Sequence, residues 1–200
     1  MVKCNVKFTF SYLLFLILML YVSKISEIII ISLSIFIHEL FHVFISFIFG
    51  NRKIKIEVSM FGGICSIDTS LMSKNKRIIV YIFGIFANVI LIFIFKYLYQ
   101  CIYSQMIIKY NLMLICFSLL PIYPLDGYRI IREIFAEKTS IYISYITLFM
   151  IFLINIYLQS VGIFVIIIYL FFKQKNNKEE ELFKKLLLIK NTCNYKKINV

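Results

Sequence analysis

The chain has 200 residues, 62% of them hydrophobic, with a mean hydropathy of +0.90. Apolar runs of helix length recur along almost all of it, which excludes a soluble globular domain and points to a polytopic membrane protein. The net charge of +12 follows membrane topology instead of marking a nucleic-acid surface, so no direct nucleic-acid contact is expected. The basic residues gather at Lys3 and Lys7, at Arg52, Lys53, Lys55, Lys74, Lys76 and Arg77, at Arg129, Arg132 and Lys138, and in the tail from Lys173. Only Lys24, Lys96 and Lys109 lie elsewhere, and such alternation of basic and bare loops is the signature of cytoplasmic exposure. Val, Ile, Leu and Phe fill the apolar runs without the alternation of a barrel strand, so the expected class is an all-α membrane bundle. The five cysteines (Cys4, Cys65, Cys101, Cys116, Cys193) are odd in number and show no Cys-x-x-Cys spacing, so they suggest neither a disulfide framework nor a thiolate metal cluster.

In chain order, Phe8 to Val22 is a first apolar span that lacks a small-residue cleavage site and is therefore read as retained. Ile28 to Phe49 is the second, ended by Gly50-Asn51-Arg52-Lys53. Lys55 to Asp68 alternates polar and apolar residues on both sides of Gly62-Gly63, predicting a short β-hairpin at the membrane interface. Arg77 to Tyr97 is the third span, with Gly84 and Asn88 inside it. Met106 to Pro121 is the fourth and breaks at Pro121 and Pro124, which cannot continue a regular helix. Ser140 to Leu158 and Val161 to Phe172 complete six spans, the last two alternatively a re-entrant pair. The division expected is a membrane domain over residues 1–172, with a core at about 28–129, and a basic tail over 173–200. Both termini are expected in the cytoplasm. Glu180 with Lys184 and Glu181 with Lys185 are helix pairs four apart; the tail reads as a surface helix or as a docking element.

The second span contains both histidines of the chain, in His38-Glu39-Leu40-Phe41-His42. Four residues apart, they share one helical face and can reach one metal ion, while a Glu after the first His suits a general base acting on water. A buried His–carboxylate network that only ties helices together is the alternative, because ionisable groups at membrane depth mark function or a specific pairing. A catalytic zinc site needs a third protein ligand. Glu57, Asp68, Glu133 and Glu137 are available, but Asp126 fits best by depth. His42 lies about 12 Å before the cytoplasmic end of its span, and the fourth span runs the same way to Asp126. The proline break lets non-helical backbone fold inward there.

These residues, with Leu119-Leu120-Pro121-Ile122-Tyr123-Pro124-Leu125-Asp126-Gly127, resemble the site-2 protease family of intramembrane zinc metalloproteases. The resemblance implies that His38, His42 and Asp126 bind one Zn2+, that Glu39 is the general base, and that membrane-associated protein substrates are cleaved at or within the bilayer. Gly84-Ile85-Phe86-Ala87-Asn88 resembles the family's Gly-Pro-x-x-Asn element, and Phe61-Gly62-Gly63 its glycine-containing hairpin. On this reading Gly62 and Gly63 accept an extended substrate; Asn88 either bonds the substrate backbone or makes a helix–helix contact. Phe41, Ser118, Ile85 and Tyr128 depart from the family pattern at positions that remove no ligand. Compact size and a basic tail are most similar to the stage IV sporulation protein FB group. That group implies a pro-sigma factor as substrate, membrane regulatory proteins as partners, and the mother-cell membrane around the forespore as the location. A catalytically silent membrane binding protein and a metal or ion transporter are the competing readings; the absence of an internal repeat weighs against the transporter.

Overall fold

The computed structural model describes the backbone of residues 3–8, 25–50, 53–59, 62–67 and 72–176, and side chains over 25–50 and 72–176. The expected first span, apart from Phe8, and the tail from residue 177 lie outside the described residues. The elements in order are β1 (Lys3–Phe8), α1 (Ile25–Ile48), β2 (Lys53–Ser59), β3 (Gly62–Ile67), α2 (Lys74–Phe93), α3 (Ser104–Ser118), α4 (Asp126–Ile134) and α5 (Glu137–Leu158), followed by α6 over 161–176. The last five residues of the helix begun by α2, Ile94–Leu98, widen into a π turn closed by Tyr99 N–H donating to Ile94 O at 2.8 Å.

Among the described residues, three helices are long and apolar enough to cross a membrane: Ile25–Ile48, Lys74–Leu98 and Glu137–Leu158. This is a membrane protein. Of the other expected spans, the first lies outside the described residues, while α3, with 15 residues, and α6, described over 161–176, are not among these three. At 1.5 Å per residue α3, with its 15 residues, rises about 22 Å, short of a hydrocarbon core of about 30 Å. Pro121 stops α3 early, and Asn111 and Lys109 interrupt its apolar run.

The helices are built inside out relative to a soluble bundle. In α1, Ser34, His38, His42 and Ser46 recur every four residues and are buried, while Ile29, Leu33, Phe36, Phe44 and Phe47 face outward. In α2 the buried set is Val80, Gly84, Ala87 and Asn88. Lipid is as apolar as leucine, so large side chains gain little by turning inward. Small and polar residues let helices approach and find partners. Asn111 of α3, fully buried, donates to Ser34 Oγ at 3.0 Å, and Tyr110 donates to Glu27 at 2.7 Å, fixing α3 against α1.

The strands form one sheet in the order β1-β2-β3, with β2 and β3 antiparallel (Ser59 opposite Gly62) and β1 parallel to β2. The parallel strand is an addition to the expected hairpin, since by sequence Lys3 and Lys7 mark only the basic flank of a span. Non-local pairing of this kind leaves no signal within the segment itself. β3 lies against α1, and its other edge is the outer edge of the sheet.

Between α3 and α4 the chain folds tightly: Ile122 N–H donates to Leu120 O and Leu125 N–H to Ile122 O, both at 2.8 Å. Ile122 is completely buried and, with Leu125, packs on Leu148, Ile167 and Leu170 of α5 and α6. Ser144 Oγ of α5 accepts from Tyr123 N–H at 3.4 Å and donates to Gln174 Oε1 at 3.0 Å, so the same loop is also held by polar contacts. From the other side, Arg77 donates to Met72 O (2.8 Å) and to Glu133 (2.7 Å), tying the start of α2 to the end of α4. The loop and α4 are thus clamped at both ends, and Asp126 opens α4.

Candidate metal centre

His38 and His42 leave α1 on one face because they are four residues apart, and their rings meet edge to face with centroids 4.7 Å apart. α2 runs antiparallel behind them and meets them with three residues spaced by four. Val80, at the level of His42, accepts a 2.8 Å hydrogen bond at its backbone oxygen from His42 Nδ1–H. Asn88, at the level of His38, places its amide 3.1 Å from His38 Nδ1. Gly84 lies between: a Cβ there would fall 2.2 Å from His42 Cε1 and Nε2 and 2.9 Å from His38 Cε1. Only glycine at this position lets both rings come this close to the helix.

A second glycine performs the same service on the other side. A Cβ on Gly127 would stand 2.2 Å from Leu119 O and 2.6 Å from Leu120 O, so α4 can start this close to the end of α3 only with glycine second in the helix. The approach brings the Asp126 carboxylate onto the histidines. Its Oδ2 lies 3.0 Å from His38 Nε2 and 3.3 Å from His42 Nε2, and the two Nε2 atoms are 3.1 Å apart.

That triangle tests whether a metal fits. Three ligand atoms about 2.0–2.1 Å from a tetrahedral zinc stand about 3.3 Å from one another, and the observed edges of 3.0, 3.1 and 3.3 Å are those of such a set. The donors are also the right kind, two imidazole nitrogens and one carboxylate oxygen. Glu39 is nearby without belonging to the triangle: a carboxylate oxygen lies within 4.8 Å of the histidine nitrogens. Its Oε2 is buried and has no hydrogen-bond partner among the described residues. The Asp126 carboxylate thus closes the triangle, and the Glu39 carboxylate lies beside the two histidines.

His38, Glu39, His42 and Asp126, all expected from the sequence, are brought together. Asn88 also reaches the site but from behind: it is completely buried and faces His38. Gly62 and Gly63 open β3, opposite Ser59 and Val58, and are not part of the cluster. Two contributors are not evident from the sequence. The Val80 carbonyl has no residue-type signature. Arg129 counts there as a topological charge, yet its Nη1 lies 3.7 Å from Asp126 Oδ1 and its guanidinium covers the Tyr81 ring at 5.6 Å. Its place three residues after Asp126, one helical turn on, is the available clue.

No protein-family model and no curated protein matches the sequence. Among solved structures, the site-2 protease from Methanocaldococcus jannaschii is similar, with a TM-score of 0.67 and 20% sequence identity over 88% of this chain and 91% of that one. At that identity the likeness carries the fold. The chain therefore shares the fold of that site-2 protease.

Proposed function

We propose that this protein is an intramembrane zinc metalloprotease that hydrolyses peptide bonds of membrane-associated proteins. The observation that carries the reading is the 3.0–3.3 Å triangle of His38, His42 and Asp126, with the unpartnered Glu39 carboxylate oxygen beside it. His38, His42 and Asp126 hold the ion. Bound zinc would polarise the scissile carbonyl and bring the pKa of water to about 7. Glu39 accepts the proton of the attacking water and returns it to the leaving nitrogen, a shuttle that needs a carboxylate with a free oxygen. Burial strengthens this chemistry, because developing charge is met in a medium of low dielectric.

The substrate must present extended backbone, since a regular helix ties up its own amides. The outer edge of β3, beginning at Gly62 and Gly63 and lying beside α1, suits strand addition by such a segment. Following the sequence resemblance, the substrate proposed is the membrane-associated pro-sequence of a sporulation sigma factor, cleaved in the mother-cell membrane around the forespore. The ion-transporter reading gives no role to an unpartnered carboxylate oxygen beside the triangle.

Glu39→Gln is the decisive test. With a membrane-tethered pro-sigma factor co-expressed, processing should fall by about 10²–10⁴-fold, the contribution of a positioned general base, while the purified variant retains zinc. Undiminished processing would refute the proposed mechanism.

A further inference from the structure

Asn88 has an assignment that neither substrate binding nor helix packing gives it. His42 has a defined neutral tautomer: its Nδ1 faces the Val80 carbonyl at 2.8 Å, a carbonyl only accepts, and so in the neutral ring the proton is on Nδ1 and Nε2 carries the lone pair. His38 needs the same tautomer to act as a ligand through Nε2, and among the described residues Asn88 is the hydrogen-bond partner of its Nδ1. In the structure the Nδ2 end of the amide faces Nδ1 at 3.1 Å. An NH2 donating to Nδ1 keeps the ring proton on Nε2, the nitrogen 3.0 Å from Asp126, and a protonated nitrogen cannot ligate a metal. Meanwhile Asn88 Oδ1, on a completely buried side chain, has no hydrogen-bond partner among the described residues.

A half-turn about the last side-chain bond exchanges the two ends of the amide and moves no other atom. Oδ1 then accepts from His38 Nδ1–H, Nδ2 takes the place Oδ1 held, and the Nε2 lone pair points at the triangle. We infer that Asn88 is a positioning residue that holds His38 in its metal-binding tautomer by accepting Nδ1–H, as the Val80 carbonyl does for His42. The proton balance is simple: Nε2 gives up its proton, Nδ1 gains one, and the ring stays neutral. Outer partners of this kind fix ring orientation and ligand basicity. The inference rests on the zinc-site reading above and assigns Asn88 to the ligand and away from the substrate.

The test is zinc affinity of the purified full-length protein, measured by competition with a chromophoric chelator, beside thermal unfolding of the metal-depleted forms. Asn88→Leu keeps the volume, removes the acceptor and suits the apolar surroundings; zinc should bind about 10–100-fold more weakly. Asn88→Asp keeps an oxygen at the same place and should restore most of that loss. A merely structural Asn88 predicts altered unfolding temperatures with zinc affinity unchanged in both variants, and that result overturns the inference. So does failure of Asn88→Asp to bind more tightly than Asn88→Leu. Wild-type protein that does not bind zinc overturns the underlying metal-site reading instead, which keeps the two failures apart.

Discussion

Gly84 is the residue whose absence of a side chain does most for the centre. Alanine would ordinarily favour a helix interior over glycine by about 0.5–1 kcal/mol. Here its Cβ would sit 2.2 Å from the His42 ring, and that ring cannot retreat while Nδ1 stays on Val80 O and Nε2 on the triangle. Gly84→Ala is expected to lower zinc affinity by at least about tenfold, the scale on which outer-shell disruption acts, when metal content is measured after dialysis against a chelator. Gly162, where a Cβ would meet nothing within 4 Å among the described residues, is the matched control: Gly162→Ala should leave zinc binding unchanged. Residue identity is legible in the sequence where chemistry is carried by type and spacing. Two histidines four apart with an intervening glutamate announce themselves, and Asp126 follows from depth and the proline break. Asn88 is legible as important but not as directed at His38, because its partner is 50 positions away and periodicity gives a face without giving a neighbour.

At the scale of elements, the centre depends on how α4 is aimed. Its start is pressed against α3 at Gly127, its end is tied to α2 by Arg77–Glu133, and the loop before it is plugged into the α5–α6 pair by Ile122. Ile122 is the largest completely buried side chain among the described residues, and Ile122→Ala should destabilise the protein by about 2–5 kcal/mol through lost contacts and a residual cavity. Thermal unfolding in detergent measures that cost. Cleavage should fall in parallel, since Asp126 loses its support, while Ile122→Val should cost about 0.5–1.5 kcal/mol. The prolines at 121 and 124 make this break visible in the sequence. The parallel strand β1 is invisible there, because Lys-Cys-Asn-Val-Lys-Phe has no local pattern that names the distant strand Lys53–Val58 as its partner. α3 stops at Ser118, short of its expected end at Pro121, for a different reason: an apolar run sets an upper limit on a span, whereas the helix ends where backbone geometry stops it.

For the whole molecule, recurrent apolar runs make the class plain in the sequence, and the structure adds an interior rich in Ser, His, Asn and Asp under a surface of Ile, Leu and Phe, unlike a water-soluble fold. Sheet order and the pairing of α5–α6 with the loop are not legible, because they depend on contacts distant in sequence. One dimension has a consequence for the surrounding lipid. α3, at 15 residues, is fixed to α1 by Asn111–Ser34 and Tyr110–Glu27, so it cannot meet its hydrophobic mismatch by sliding. Local thinning of the bilayer is one response open to such a helix, next to the helix that carries His38, Glu39 and His42, at a cost of fractions of a kcal/mol per Å. On the proposed protease function, lipid chain length then becomes a control on activity. Reconstituted in vesicles of short-chain phosphatidylcholine, the protein should cleave a tethered substrate faster than in long-chain vesicles at equal occupancy, and a rate indifferent to chain length would mean that the thinning plays no part. The membrane would be, in effect, a co-solvent whose depth sets how readily water and an unwound peptide arrive.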